Sequence, residues 1–374
     1  MPEPRSAVAE PGNRISDVAG IVVGHHHRLD ADATVADTDG RVEGRGWATG
    51  TTVVRVDRSG DRPAPVCAVD VRGGGPGTRE TDLLDPVNTV QTVHALVLTG
   101  GSAFGLAAAD GVMAGLEEAG TGLPMDEFGH VVPIVPGAVI FDLPVGDWRR
   151  RPDAEFGRLA LEAASADFRV GSVGAGAGAR AGALKGGIGT ASLTLDEGPA
   201  AGVTVGALMV VNPVGTVIDP ATGLPWGATA DDLRRHGLRA PAAEEVSAYA
   251  ELVAKQTVLN TTIGVVATDA ALEPAATRRV AMAGHDGLAR AILPAHSPLD
   301  GDTIFAVSTG GVRPESVVEV PAGMNPDVTV LAEVCRAAAA VVQQAIVAGV
   351  LSAESVAGIP SFGDVLPSAL SVSP

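Results

Sequence analysis

The 374 residues carry a formal net charge of −18 at pH 7, from 44 Asp and Glu against 26 Lys and Arg, which excludes a general affinity for nucleic-acid phosphates. Hydrophobic residues make up 46% but aromatics only 3%, so the core must be assembled from Ala, Val, Leu and Ile in close-packed layers. The 48 glycines follow no Gly-X-Y period and read as tight turns and close backbone approach in an α/β protein. Cys67 and Cys335 show neither C-x-x-C nor zinc-ligand spacing, the usage of free buried thiols in a reducing compartment.

Met1 to Arg14 is polar and Pro-rich without an apolar h-region, so it reads as a disordered leader rather than a signal peptide, with residues 15–374 forming one domain. Thr51–Val56, Val66–Val71 and Val93–Leu98 follow as strands. Two tight glycines, Gly100 and Gly101, then turn the chain into a small-residue helix over Phe104–Glu118. The low-complexity segment GSVGAGAGARAGALKGGIG, Gly171 to Gly189, leads to strands near Thr190–Leu195 and Val203–Val211. From Ala228 to Lys255 the composition turns polar, as in an exposed helical segment.

Thr261–Thr268 is a β-branched strand that begins abruptly after Asn260. A helix over Glu273–Ile292, the loop HSPLDGD (His296 to Asp302), a strand Thr303–Ser308 and an Ala-rich helix Asp327–Val347 with an Asp cap complete the chain. The apolar run Ala337–Leu351 is broken by Gln343–Gln344 and is too short to span a bilayer. A cytoplasmic protein without membrane partners is expected. Helices and long apolar strands without βαβ regularity point to layered sheets covered by helices.

A threonine opening a buried strand directly after an Asn suits intramolecular cleavage. Thr261 Oγ would attack the Asn260 carbonyl, and the released α-amine, with a pKa of about 7.7, could then take the proton from its own hydroxyl. Spacing alone does not establish this, because Asn-Thr pairs beside strands are ordinary. Asp300 and Asp302, two apart, face the same way on an extended segment and can split their protonation between acceptor and donor roles. Asp-Gly-Asp is also common turn chemistry, and no further ligands at EF-hand spacing follow it.

Other motifs read as structural. GAGAGARAG lies in no βαβ unit, and no P-loop occurs. Ser102 sits at a strand-to-helix turn like a nucleophile elbow, but the second glycine is one place late for G-x-S-x-G, so its backbone is expected to line a pocket instead. His25-His26-His27 matches no metal-ligand set and reads as a turn with solvated histidines.

Taken together, ISDVAGIVVGH, RGGGPGTRETDLL, HALVLTGGSAFGLAAADGV, VPIVPGAVIFDL, GSVGAGAGA with KGGIGTAS, GALMVVNPVG, NTTIGVVATDA and HDGLARAILPAHSPLDGDT resemble the β-peptidyl aminopeptidases and D-esterase/L-aminopeptidases. Within that group the chain is most similar to the nylon-oligomer (6-aminohexanoate-oligomer) endohydrolases, from about Ile15 to Gly363. The resemblance implies a four-layer α/β/β/α sandwich like that of N-terminal-nucleophile hydrolases, a homotetramer, and a precursor cut at Asn260/Thr261 into chains 1–260 and 261–374. It makes Thr261 the nucleophile and places Asp300 and Asp302 at the acidic pair of the nylon-hydrolase branch. Lys185 falls at a lysine near the nucleophile, which would lower the pKa values of the Asp pair. Asn212 falls at an asparagine that helps stabilise the oxyanion. Where the family carries an active-site tyrosine this chain has Phe141, which can pack but cannot donate a hydrogen bond.

The implied substrates are short oligoamides of ω-amino acids, or peptides with N-terminal β- or D-residues, and an acidic site would suit a free ammonium end. No metal or organic cofactor is needed. An acyltransferase on the related ornithine acetyltransferase fold and a non-cleaving binding protein are the rival readings.

Overall fold

The computed structural model describes residues 12–37, 41–57, 64–226, 228–254, 260–314 and 320–370. The N-terminal part contains strands β1 (Ile21–Leu29), β2 (Ala48–Val56), β3 (Val66–Val71), β4 (Thr78–Arg79) and β5 (Ala95–Thr99), followed by helix α1 (Ala108–Glu118). A small hairpin of β6 (Leu123–Pro124) and β7 (Val131–Val132), strand β8 (Gly137–Val139) and helix α2 (Ala154–Glu162) come next. A second hairpin, β9 (Arg180–Ala181) and β10 (Leu184–Lys185), precedes strands β11 (Ile188–Thr194) and β12 (Thr204–Val210). Helices α3 (Ala230–Arg235) and α4 (Ala243–Val253) lead to β13 (Ile263–Ala270), α5 (Pro274–Ala291), β14 (Thr303–Val312), α6 (Val328–Leu351) and α7 (Phe362–Val365).

Two five-stranded sheets result, in the orders β1-β2-β5-β8-β4 and β11-β12-β13-β14-β3. Their layering follows from the period-two alternation of side chains along a strand. In the first sheet Val54, Leu96 and Leu98 point toward the second sheet, meeting Leu208, Val210, Val265, Phe305 and Val307 in one core. The alternate residues Val53, Ala95 and Val97 pack beneath Ala108, Val112 and Leu116 of α1 and Ala160 and Leu161 of α2. In the second sheet Val266, Ile304 and Ala306 face outward, under Val280 and Leu288 of α5 and Val334, Val341 and Ala345 of α6. The order helix, sheet, sheet, helix is the expected four-layer sandwich.

Small residues let these layers approach closely. A Cβ on Gly111 of α1 would stand 1.7 Å from the Ala154 carbonyl oxygen, and one on Gly157 of α2 would stand 1.8 Å from the Ala108 oxygen. Helix α6 is longer than the sequence suggested, 24 residues, and its length and composition would suit a membrane span. It is instead a core helix, with 61% of its most apolar window buried between α5 and the second sheet. Asp327 stands at its N-cap position without a side-chain capping bond.

The histidine run is not a turn. His25, His26 and His27 lie in β1, paired with Thr52, Thr51 and Gly50 of β2, because Ile21 and Val23 set the strand's buried face and carry the polar residues into register behind them. His25 Nε2 bonds the Arg169 carbonyl at 3.0 Å and its Nδ1 meets Thr52 Oγ1 at 2.9 Å. The polar stretch expected to form one exposed helical segment forms two helices, and Lys255 lies outside the described residues. Tyr249 within it is fully buried, its hydroxyl donating to Ile218 O at 3.1 Å. The leader falls on residues of which only 12–14 are described. Both cysteines are free, Cys67 buried and Cys335 partly so.

The α1–α2 contact makes a direct prediction. Gly111→Ala is expected to drive the helices apart and cost about 2 kcal/mol, overpacking outweighing the gain in helix propensity. A urea denaturation midpoint equal to that of the unmodified protein would refute the close approach.

Candidate active site

The topology of the second sheet brings four chain segments to one place. Strands β13 and β14 are parallel with Ile263 opposite Thr303, so the residues just before each strand, Thr261–Thr262 and Asp300–Asp302, lie side by side. Antiparallel β12 ends opposite Ile263 at Val210 and delivers Asn212 to the same edge. Strand β3, paired Val71 to Thr303, delivers Arg72 and Gly73 from the other side.

Thr261 is buried there. Its backbone N–H donates to Asn212 O at 2.6 Å, and its Oγ1 accepts from Gly301 N at 3.1 Å. The same hydroxyl donates to the carbonyl oxygen of Asn260, at the peptide bond joining the two residues. Asn260 itself is anchored by its Nδ2 donating to Pro213 O at 2.8 Å.

Asp300 and Asp302 flank Gly301, and both are almost wholly buried. Asp302 Oδ1 accepts from Thr262 N at 2.9 Å, while its Oδ2 accepts from His296 N at 3.1 Å and His296 Nδ1 at 2.8 Å. Asp300 Oδ1 accepts from Val214 N at 3.0 Å, and its Oδ2 accepts from Ser297 Oγ at 2.7 Å and Ser297 N at 3.2 Å. Burial raises the Asp300 pKa above the usual carboxylate range, and the Asp302 charge adds to the rise.

A cavity of about 300 Å³ opens beside Thr261. Its walls come from Gly75–Gly77, Ser102 and Ala103, Val139 and Phe141, and Pro298 and Leu299, with Asn260 and Thr261 also lining it. Ser102 therefore lines the pocket as its backbone position suggested. It adopts φ 52°, in the left-handed region, next to Gly101 at φ 83°. Asp142 holds this turn, accepting from Gly101 N at 2.6 Å and Thr49 Oγ1 at 2.7 Å. Phe141 packs edge-on to Trp148 with ring centroids 6.2 Å apart, and its carbonyl accepts a long 3.4 Å bond from Asn212 Nδ2. The Asn212 Oδ1 accepts from Arg180 N at 2.8 Å.

Two expectations need correction. Lys185 is fully buried, and its Nζ donates to Gly176 O and Gly186 O, each at 2.7 Å. The acid whose charge acts on it is Asp142, not the Asp300/Asp302 pair. The glycine-rich segment folds tightly around the ammonium, and burial lowers its pKa to about 7. Nor does an acidic wall await a substrate ammonium: both carboxylates are turned inward onto backbone donors, and no charged side chain lines the cavity among the described residues.

The sequence reading did not single out His296, Ser297 or Asp142, nor the backbone N–H of Gly301. His296 was visible as the start of HSPLDGD, six residues before Asp302. A backbone donor between two aspartates has no side-chain signature.

Residues 13–361 match peptidase family S58. The chain belongs to that family. A Mycobacterium tuberculosis protein named as an uncharacterized aminopeptidase is 57% identical over 361 residues, 96% of this chain and 99% of the relative. A 6-aminohexanoate-oligomer endohydrolase of Kocuria sp. is 33% identical over 274 residues, 70% of this chain and 69% of the relative. The solved L-aminopeptidase D-Ala-esterase/amidase of Ochrobactrum anthropi, described as a variant of the Ntn hydrolase fold, superposes with a TM-score of 0.66 at 24% identity, covering 98% of this chain and 93% of that one. The S58 chain is a hydrolase of amide bonds with an N-terminal-nucleophile type of fold.

The buried and half-buried histidines of this S58 protein predict its acid response. Burial is the main cause lowering His25 to about 3 and His27 and His285 to about 4. The fold holds them neutral, whereas the unfolded chain takes up a proton near 6.5. Their contribution is complete above pH 6.5 and is lost as pH falls toward the folded values, by up to about 2 kcal/mol each between pH 6.5 and 5. Asp142, pushed up to about 6 mainly by burial, acts in the opposite sense. It binds its proton in the folded state first and restores about 1 kcal/mol by pH 5. Urea midpoints should therefore fall between pH 7 and 5, with a shallower fall in His25→Gln; a flat profile would contradict this account.

Proposed function

We propose that this S58 protein cuts itself between Asn260 and Thr261 and then acts as an N-terminal-threonine amidohydrolase on short amides. The observation that carries the reading is the seat of Thr261: its hydroxyl lies against the carbonyl of the bond to be cut, is held by Gly301 N, and opens onto the cavity. In maturation Oγ1 bonds to the Asn260 carbonyl carbon and the C–N bond breaks. The nitrogen takes up the hydroxyl proton, and water hydrolyses the resulting ester. The products are the carboxylate of Asn260 and a free amine on Thr261.

That amine, with a pKa of about 7.7, serves as the base for its own hydroxyl. Asn212 O holds one of its hydrogens and so orients it. In each turnover Oγ1 attacks the substrate amide, the amine product leaves with the transferred proton, and water frees the acid from the ester. On this reading Asn212 Nδ2, which spends one hydrogen on a long bond, serves as the side-chain donor that steadies the oxyanion.

The cavity's apolar lining from Pro76, Val139, Phe141, Pro298 and Leu299 suits an unbranched acyl chain. This favours oligoamides such as 6-aminohexanoate oligomers, and the name of the Kocuria relative supports it. The name of the Mycobacterium tuberculosis relative supports a second reading, an aminopeptidase, and the description of the Ochrobactrum anthropi structure adds D-residues to the substrates to be tried alongside N-terminal β-residues. Comparing rates on a 6-aminohexanoate trimer, a β-alanyl amide and a D-alanyl ester separates the two.

Mass spectrometry of the purified protein should give chains 1–260 and 261–374. Thr261→Ala should remain a single inactive chain, whereas Thr261→Ser should still be cut. A processed, active Thr261→Ala protein would refute the mechanism.

A further inference from the structure

We infer that His296 is a positioning residue that locks the Asp302 carboxylate, and through it the Thr261–Thr262 segment, into working register. The inference rests on Thr261 being the nucleophile. His296 places two donors on one carboxylate oxygen, its backbone N–H at 3.1 Å and Nδ1–H at 2.8 Å, leaving the other oxygen to hold Thr262 N at 2.9 Å. To present both at once it adopts φ 53°, a conformation uncommon for a residue with a side chain.

Among the described residues the ring makes no other hydrogen bond. Its Nε2 is buried without a hydrogen-bond partner among the described residues, and so is Nδ1 of His285, whose ring crosses it at 4.8 Å between centroids. An unpaired buried nitrogen is costly, and the bond to Asp302 is what the imidazole contributes in return. His285 is itself fixed, its Nε2 donating to Asp70 O at 3.0 Å. Arg72 closes the ring of contacts, with Nε on Asp70 Oδ2 at 2.8 Å and backbone N on Asp302 O at 2.9 Å. Asp302 is thus gripped by side chain and main chain, and among the described residues the His296 ring is its only side-chain donor.

Because Thr262 follows the nucleophile directly, slack in Asp302 moves Oγ1 relative to Gly301 N and the scissile carbonyl. A displacement of that kind slows chemistry more than it weakens binding.

Two substitutions test this without straining the backbone. His296→Gly keeps the left-handed conformation and the backbone donor and removes only the ring. His296→Asn also tolerates that conformation and restores an amide donor near the Nδ1 position. His296→Gly should slow self-cleavage and lower kcat by roughly tenfold or more with KM within about twofold, and His296→Asn should recover to within about threefold of the unmodified protein. Unmodified rates in His296→Gly, or His296→Asn as slow as His296→Gly, would overturn the assignment. Failure of the nucleophile reading would show separately, as an uncut chain in the unmodified protein. The ¹⁵N resonances of His296 report independently of cutting: a protonated Nδ1 supports the inference, and an unprotonated Nδ1 rejects it.

Discussion

A buried carboxylate needs donors on every side or it loses its charge, and the donors found for Asp302 tie together the elements that form the site. Thr262 N comes from the start of β13, Asp302 itself from the start of β14, and His296 from the loop after α5. Arg72 and Gly73, at the end of β3, hold the Asp302 carbonyl at 2.9 and 3.2 Å. Parallel pairing of β13 and β14 is what makes this possible, since it starts both strands at the same edge. The position of Thr261 is therefore a property of sheet register as much as of any one side chain.

The second sheet was legible because its strands are continuous apolar or β-branched runs. Val66–Val71 agrees with the expected bounds, and Thr303 begins β14 where the change from DGD to TIFAV predicted. The first sheet was harder. β1 carries three histidines in its middle, and polarity there imitates a loop although the strand is half-buried. α2 is only nine residues and carries a glycine, so its periodicity is weak even though Asp153 caps it onto Phe156 N. Tyr249 sits among acidic residues in sequence, yet it is the one fully buried side chain of a largely exposed helix, which Val253 and the Glu245–Ser368 bonds also help to dock.

The site was legible as a set of residues and less so as a set of partners. Thr261, Asn212, Phe141, Ser102, Asp300 and Asp302 do converge, carried by motif resemblance. What the chain could not disclose is which acid answers which cation. Lys185, in a run with few other charges, invites pairing with whichever carboxylates are already under suspicion. The glycines around it let the backbone close in, and two carbonyls, with Asp142 behind the Gly101–Ser102 turn, take that role instead.

The hydrogen bonds of the two aspartates bear on the chemistry. Each carboxylate oxygen accepts at least one bond from a backbone or side-chain donor, and among the described residues neither aspartate is hydrogen-bonded to Thr261 Oγ1. Their contribution is then geometric and electrostatic: they fix Val214, Thr262 and the Gly301 N–H that touches the hydroxyl. On the proposed reading this leaves the α-amine of Thr261 to accept the hydroxyl proton during turnover, and that amine exists only after the chain is cut. An uncut chain has the hydroxyl and the pocket but lacks the base. On that reading the order of events, cleavage first and substrate afterwards, follows from when the amine becomes available.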